Sequence, residues 1–349
     1  MNSKLRAEYP WASNPIIINA PMGGFAGHGL ATEVTKAGGI GMIGSVFDMK
    51  ELEANLEGAK TSLSTYPVLC SGSTLPVGVG LLTFVAKLDE AIPVLAKYKP
   101  AILWLFASKE FEDYATWAQA IRQASPETKI WIQVGSVTAA LKVAKLCNPD
   151  VLVLQGADAG GHGFRRGAGI VSLFPEATDV LHANGFGDIP LVAAGGLADG
   201  RGVASALALG AAGVVMGTRF LAAAETEMHP QYRAAVIKAK DGALSTVRSK
   251  VFDQLRGPNI WPVLYDGRAL ATDSYADSKN GVDIEKLREL YKEAVADEDA
   301  GFGKSPRAIV WAGASVGIVN DVKPAAEIVN EVRDAAVGIL NRLSISALS

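Results

Sequence analysis

Short apolar segments alternate with longer amphipathic segments over the first 220 residues of the chain. Each apolar segment is rich in Val, Ile and Leu, which is typical of a parallel strand buried on both faces. A glycine, a proline or a polar residue ends it, and a segment with helical periodicity follows. Eight strands are predicted in this way, at residues 16–19, 40–43, 77–82, 101–106, 130–134, 151–154, 191–194 and 213–216. The intervening helices are predicted at residues 30–37, 49–60, 88–97, 111–124, 137–146, 172–183 and 201–209.

This alternation of strands and helices predicts an α/β fold with a parallel sheet and right-handed crossovers. Eight such units indicate a (β/α)8 TIM barrel, whose usual size is about 250 residues. The alternative is an open, doubly wound sheet that binds a nucleotide where the strand order reverses. The sequence lacks the glycine fingerprint of that fold, because Gly78-Val79-Gly80 has no third glycine at the required place. We therefore expect the barrel, which spans residues 1–224.

The pattern changes after the eighth strand. Residues 225–303 are more polar, with helix-like stretches at 231–240 and 284–295 and no further strand-helix alternation. We interpret this segment as a smaller helical lid or substrate domain that covers the C-terminal end of the barrel. Residues 304–349 become apolar again and include a predicted helix at 325–343, so we expect them to return to the barrel and pack on it.

Composition and charge exclude several classes of partner. The 349 residues carry a net charge of −3, so no basic field exists to hold nucleic acid or an anionic membrane. No apolar run reaches the ~20 residues of a membrane span, and no signal peptide is evident at the N-terminus. Cys70 and Cys147 are far apart and have no partner motif. They are typical of thiols in a reducing compartment, although a disulfide stays open, and we expect a cytoplasmic protein.

The loop after the sixth strand carries the first candidate for chemistry. The buried strand ends abruptly, and residues 155–163 are small, polar and rich in glycine, which predicts a loop. Gly160 and Gly161 allow the backbone to approach a ligand closely. His162 lies between glycines at the C-terminal end of a strand, where α/β enzymes place catalytic groups, so we expect a free imidazole there. The alternative is a histidine that only caps or pins the turn.

Two glycine turns indicate a phosphate site. Gly195 and Gly196 follow the seventh strand, and Gly217 and Thr218 follow the eighth. Barrels often bind phosphate with these two loops, through backbone N–H groups and a helix N-terminus. Glycine can also serve only to make a tight turn, but its presence at both positions favours phosphate binding.

Other classes of site have little support. Gly303-Lys304-Ser305 resembles the end of a P-loop, but residue 298 is Glu where that motif needs glycine. No G-x-S-x-G element for serine hydrolysis is present. The other three histidines, His28, His182 and His229, have no partner at metal-ligand spacing, and the chain has no Cys-x-x-Cys, so no metal site is predicted.

Several elements together resemble the nitronate monooxygenase family, formerly called 2-nitropropane dioxygenases. They are Pro21-Met22-Gly23-Gly24, the loop at 155–163, residues 194–200 and residues 216–220, which occur in the family's order, and Trp311-Ala312-Gly313 near the C-terminus. The Ala-Gly-Gly-His element is specific to this group and its close flavin relatives. The element at 194–200 is shared more widely among barrels that bind FMN.

The resemblance implies an FMN enzyme without a metal, which oxidises alkyl nitronates with molecular oxygen to a carbonyl compound and nitrite. Neutral nitroalkanes are a further substrate class to be tested. His162 would be the catalytic histidine, as acid, base or substrate-binding group. The implied cofactor contacts are Ala20, Pro21, Met22 and Gly23 along the flavin ring, Gln133 at its pyrimidine edge, Gln155, Gly160 and Gly161 in the loop, and Gly195, Gly196, Met216, Gly217 and Thr218 around the phosphate.

One departure from the family pattern leaves the subclass open. Many relatives have asparagine near the end of the third strand, where this chain has Gly80. A reductase that passes hydride from NAD(P)H to a quinone or an enoyl thioester stays an alternative, as does a flavin-binding module without activity. The sequence identifies neither the physiological nitronate nor the oligomeric state.

Overall fold

The computed structural model describes residues 2–69, 72–296 and 300–346. The strands are β1 (Ile17–Asn19), β2 (Met42–Gly44), β3 (Leu75–Leu82), β4 (Pro100–Phe106), β5 (Lys129–Val134), β6 (Val151–Gln155), β7 (Gly161–Phe164), β8 (Leu191–Ala194), β9 (Gly213–Met216), β10 (Thr246–Ser249) and β11 (Tyr265–Leu270). The α-helices are α1 (Asn2–Glu8), α2 (His28–Lys36), α3 (Met49–Leu63), α4 (Leu88–Tyr98), α5 (Phe111–Ala124), α6 (Val137–Cys147), α7 (Ile170–Ala183), α8 (Gly200–Ala208), α9 (Thr218–Leu221), α10 (Pro230–Lys238), α11 (Gly242–Ser245), α12 (Val251–Gln254), α13 (Asp273–Lys279), α14 (Ile284–Ala296) and α15 (Ala325–Ser346). Short 3-10 helices occupy Ala300–Phe302 and Ala314–Ile318.

Eight parallel strands form the barrel in the order β1-β9-β8-β6-β5-β4-β3-β2. A parallel bridge between Ile18 and Ile40 closes the circle from β1 to the residues that precede β2. All eight strands coincide, within two residues at either end, with the eight predicted ones. The predicted (β/α)8 barrel is therefore confirmed.

The seam between the first two strands is completed by a side chain. β1 and β2 have three residues each, and the backbone contact between them is the hydrogen bond from the Ile40 N–H to the Ile17 carbonyl at 2.9 Å. The fully buried Asn19 accepts a hydrogen bond from the Met42 N–H at 2.8 Å and donates one to the Met42 carbonyl at 2.8 Å. The Asn19 side-chain amide thus makes with Met42 the two hydrogen bonds that the backbone of a neighbouring strand would make.

The N-terminal segment closes the bottom of the barrel. Tyr9 is buried, and its hydroxyl accepts a hydrogen bond from the Trp131 indole at 2.9 Å. Trp131 lies 6.0 Å from Trp104, centroid to centroid, and both rings fill the barrel interior. Burial raises the pKa of the Tyr9 phenol. The barrel interior is therefore a packed core, which leaves only its other end for a ligand.

The last helix completes the outer ring. α15 packs between α8 and α2, and it buries Ile328, Val329 and Val332. Arg333 donates to the carbonyls of Ala37 at 3.1 Å and Gly38 at 2.7 Å, at the end of α2. Helix α15 thus occupies the place of the helix that would follow the eighth strand.

The segment at 225–303 contains helices α10 to α14 and also two strands, β10 and β11, which were not predicted from sequence. β10 and β11 form an antiparallel sheet with β7, in the order β10-β11-β7, and all of β7 except Phe164 lies in the stretch predicted to be a loop. These strands are short and carry glycine, Arg and Asp, so they lack the apolar run of a barrel strand. The domain boundary at residues 225–303 stays a prediction.

Two observations bear on the surroundings of the protein. Within the described residues, no helix combines the length and apolar character that a membrane crossing needs. Cys147 is a buried free thiol, whose pKa burial raises to about 11, while Cys70 lies outside the described residues.

We predict that Asn19→Ala lowers the free energy of unfolding by about 3 kcal/mol, because it strands a buried N–H and a buried carbonyl of Met42. Urea denaturation followed by circular dichroism measures the change. Thr128→Val is the control, since it removes a buried hydrogen bond to the Pro100 carbonyl, away from the seam, and costs about 1 kcal/mol. Equal losses in both variants would show that the seam does not depend on Asn19.

Candidate active site

The predicted site residues gather at one end of the barrel. Ala20 follows β1, Gln133 lies near the end of β5, Gln155 ends β6, and the two glycine turns follow β8 and β9. Because the carboxyl ends of parallel strands open on the same side, these residues surround a common mouth.

The turn after β1 is fixed against the end of β9. The Ala20 N–H donates to the Met216 carbonyl at 2.9 Å. A side-chain carbon placed on Gly217 would lie 3.7 Å from the Ala20 Cβ and 3.9 Å from the Met22 sulfur. Ala20, Met22, Met216 and Gly217, predicted separately from sequence, therefore line one patch of the mouth.

The structure explains Gly80, the departure from the family pattern. A Cβ on Gly80 would overlap the ring of Pro21, which packs directly against this strand position. Asparagine here would therefore displace Pro21 from the turn after β1. In this chain Pro21 fills the space that a side chain at residue 80 would take.

Trp104 fixes the orientation of the Gln133 amide. The indole N–H of Trp104 donates to the Gln133 Oε1 at 3.1 Å, and both side chains are buried. The Gln133 Nε2 has no hydrogen-bond partner in the described part of the chain, and it is not among the fully buried unpaired atoms. Gln133 thus offers an amide donor to a ligand, which suits a carbonyl at the pyrimidine edge of a flavin.

The glycine turns present backbone donors. Gly195 and Gly196 have φ values of 95° and 77°, a conformation that favours glycine. Within the described residues, the N–H groups of Gly196, Gly217 and Thr218 form no hydrogen bond. Unpaired N–H groups on two adjacent turns suit a phosphate, so this end of the barrel offers a site for the phosphate of a cofactor.

The loop after β6 packs closely against the backbone of residues 312 and 313. A Cβ on Gly160 would overlap the backbone of Ala312 and Gly313, and the Gly313 N–H donates to the Thr218 hydroxyl at 2.9 Å. Gly161 has a φ of 67°. The close packing at Gly160 and the positive φ of Gly161 give both glycines a structural reason, independent of any contact with a cofactor.

Two arginines of the small sheet also hold this loop. Arg248 donates to the Ala159 carbonyl at 2.9 Å, and Arg268 donates to the Ala157 carbonyl at 3.2 Å. Burial lowers the pKa of the Arg248 guanidinium, while the Asp266 carboxylate, 3.6 Å away, acts in the opposite direction. The sheet β10-β11-β7 therefore fixes the loop that leads into His162.

The expectation of a free imidazole at residue 162 is wrong. His162 lies in β7 opposite Gly267 of β11, and its Nε2 is 2.8 Å from the Asp253 Oδ1. Its ring stacks on Trp261 with centroids 3.5 Å apart and planes inclined by 7°. Trp311 lies at 4.8 Å, where the absence of a side chain on Gly267 makes room for its ring. The His162 side chain is 13% exposed.

One ring nitrogen of His162 is left for a ligand. If the Nε2–H group donates a hydrogen bond to Asp253, the neutral ring carries its free lone pair on Nδ1. Nδ1 has no hydrogen-bond partner in the described residues, and it is not among the fully buried unpaired atoms. The other carboxylate oxygen of Asp253 is buried and unpaired, so within the described residues His162 is the side chain that hydrogen-bonds this carboxylate. The pair is suited to accept a proton at Nδ1.

Sequence reasoning missed three residues of this site. Asp253 lies in the short helix α12, where no motif marks it, and only the folding of the small sheet brings it to His162. Trp261 lies between Ile260 and Pro262 in a segment that is polar as a whole. A tryptophan in such a segment is only a weak indication of an ordered aromatic side chain. Trp104 lies inside an apolar strand, where nothing in the sequence distinguishes it from an ordinary core residue.

Solved structures share the whole fold. FabK from Thermotoga maritima matches with a TM-score of 0.75 over 98% of both chains, at 22% sequence identity. The nitroalkane oxidase from Streptomyces ansochromogenes matches with a TM-score of 0.70 over 97% of this chain and 99% of its own, at 21% identity. At these identities the similarity supports the barrel and carries no information on the substrate.

Sequence relatives identify the family. The model of the nitronate monooxygenase family matches residues 83–334. The nitronate monooxygenase npaC of Metarhizium robertsii is 44% identical over 96% of this chain and 95% of that protein. A nitronate monooxygenase of Neurospora crassa is 39% identical over 96% of this chain and 92% of that protein. The chain therefore belongs to the nitronate monooxygenase family and is a flavin-dependent oxidoreductase.

Proposed function

We propose that this protein binds FMN and uses molecular oxygen to oxidise alkyl nitronates to a carbonyl compound and nitrite. The observation that carries the proposal is the His162–Asp253 pair at the same barrel mouth as the unpaired N–H groups of the glycine turns. The substrate follows from family membership, since both relatives above are named nitronate monooxygenases. The expected location is the cytoplasm.

The barrel mouth would hold the cofactor through four groups of residues. The N–H groups of Gly195, Gly196, Gly217 and Thr218 would bind the phosphate. The turn at residues 20–23 would lie against the ring, and the Gln133 Nε2 would donate to its pyrimidine edge. Gln155 would contact the cofactor as well, and its Nε2 also donates to the His162 carbonyl at 3.1 Å. Gln155 would thus connect the cofactor to the backbone of His162. When bound, FMN supplies the redox chemistry that connects the nitronate to oxygen.

His162 would handle the proton. With a neutral nitroalkane, Nδ1 accepts the proton from the carbon that bears the nitro group, and Asp253 stabilises the imidazolium that forms. With a nitronate, the carbon is already deprotonated, and a protonated Nδ1 donates a hydrogen bond to the anion. Asp253 acts through His162 and is therefore a positioning residue.

The segment at 225–303 would serve as the lid or substrate domain. Asp253 and Trp261 both come from it, and both contact the His162 ring that the barrel loop provides. This arrangement supports a site that is complete only when the small sheet has formed.

We predict that the purified protein is yellow and that heating releases FMN. The reason is a phosphate site built from two single turns, without a dinucleotide fingerprint. Chromatography of the released cofactor identifies it. Release of FAD, or a colourless protein that binds no added FMN, would contradict the proposal. Anaerobic addition of NADH tests the reductase alternative, which requires rapid bleaching of the flavin.

We predict that His162→Asn keeps FMN but loses ~10²-fold or more in turnover of a neutral nitroalkane, the usual size of the loss of a general base. The loss with the matching nitronate should be smaller, because no proton is abstracted. Asp253→Asn should show the same selectivity with a smaller loss, about 10-fold, since the imidazolium loses its counter-charge. Oxygen uptake measures both rates.

Glu289→Gln is the matched control, because Glu289 is an exposed carboxylate on α14 that pairs with Lys286. It should change neither rate. If His162→Asn releases FMN, or oxidises the neutral nitroalkane at the parent rate, His162 is structural. If Asp253→Asn loses turnover equally with the neutral nitroalkane and the nitronate, Asp253 has no role in proton transfer.

A further inference from the structure

The loop between α12 and β11 folds one aromatic side chain inward. Its outer residues, Ile260 and Val263, are 69% and 79% exposed, whereas Trp261 between them is partly buried. Arg288 of α14 donates to the Gly257 carbonyl at 3.0 Å, and the Trp261 N–H donates to the Asn259 side chain at 2.9 Å. The position of the indole is therefore built into an anchored loop.

Trp261 spans the barrel mouth. One contact of its indole is the stacked ring of His162, which follows β6, and another is Phe84, 4.7 Å away, which follows β3. In the barrel, β4 and β5 lie between these two strands. Phe84, Trp261 and His162 thus form a continuous row across this side of the mouth, which we call the aromatic wall.

The enclosure of His162 restricts how a substrate can approach it. Trp261 covers one face of the imidazole, Trp311 lies beside it, and Asp253 occupies Nε2. A carbon that reacts at Nδ1 must therefore approach along the edge of the ring. Because the indole is parallel to the imidazole at 3.5 Å, a group on that carbon that points to the Trp261 side of the imidazole lies within van der Waals contact of the indole.

The wall contributes apolar surface close to the reacting carbon. Aromatic rings of this kind bind hydrocarbon chains by burying their surface, whereas a charged chain would lose hydration without gaining a partner. Building on the proposed function, we propose that Trp261 and Phe84 hold the alkyl chain of the nitronate and set the preference for its length. Trp261 contacts the first carbons of the chain, and Phe84 contacts the later ones.

The test compares ethyl-, propyl-, butyl- and pentylnitronate by oxygen uptake in the FMN-loaded protein. In the parent protein kcat/KM should rise about fourfold for each methylene buried. Trp261→Ala should flatten this rise to less than about twofold from the first step, and Phe84→Ala should flatten only the later steps. Ratios within one variant are compared, so a general loss of rate does not affect the result.

Ile260→Ala is the matched control, since it alters the neighbouring exposed side chain of the same loop and should keep the parental rise. If kcat/KM rises with chain length in Trp261→Ala as steeply as in the parent protein, or does not rise in the parent protein, the proposed role of the aromatic wall is wrong. If the parent oxidises no nitronate, the proposed function fails instead. The wall is then tested by titrating propionate, butyrate and pentanoate against the flavin absorbance, where Trp261→Ala must again lose the gain per methylene.

Discussion

The site depends on how the barrel closes between its two shortest strands. Backbone pairing at that seam is limited to one bridge, and the Asn19 amide supplies the two hydrogen bonds that bind Met42 on the opposite side. The next residues of the chain, Ala20 to Met22, are those that line the mouth beside β9. A polar side chain buried in the wall of the barrel therefore determines where the proposed cofactor surface lies.

The proposed chemistry needs two parts of the chain that are 91 residues apart. Strand β7 supplies the imidazole, and helix α12, which follows β10, supplies the carboxylate that orients it. Arg248 and Arg268 of the sheet β10-β11-β7 donate to carbonyls of the loop before β7. Because α12 follows β10 directly, the same sheet also positions the helix that carries Asp253. A shift of the sheet would move the imidazole and its partner together, which preserves the pair.

The barrel could be predicted from sequence because its strands are buried on both faces and are therefore continuously apolar. The turns after β8 and β9 could be predicted for a related reason, since glycines stand out at the ends of apolar strands, and Gly195 and Gly196 do adopt positive φ values. β7 and β11 could not, because Gly161, Gly163 and Gly267 are typical of loops. The Asp253 contact depends on the packing of that sheet, and no local pattern of residues records it. The role of Trp261 could not be predicted either, because it depends on the stacking of its indole on the His162 ring.

The position of α15 has a consequence for how the chain folds. Arg333 binds carbonyls of residues 37 and 38, so contacts that complete the outer ring join the two ends of the sequence. Such pairings of high sequence separation form late, because the entropy of closing a long loop must be overcome first. During synthesis, the eight strands emerge before the helix that covers the flank between α8 and α2. The nascent barrel therefore exposes an apolar groove until residues 325–346 have been synthesised, and exposed apolar surface of this kind is prone to aggregation.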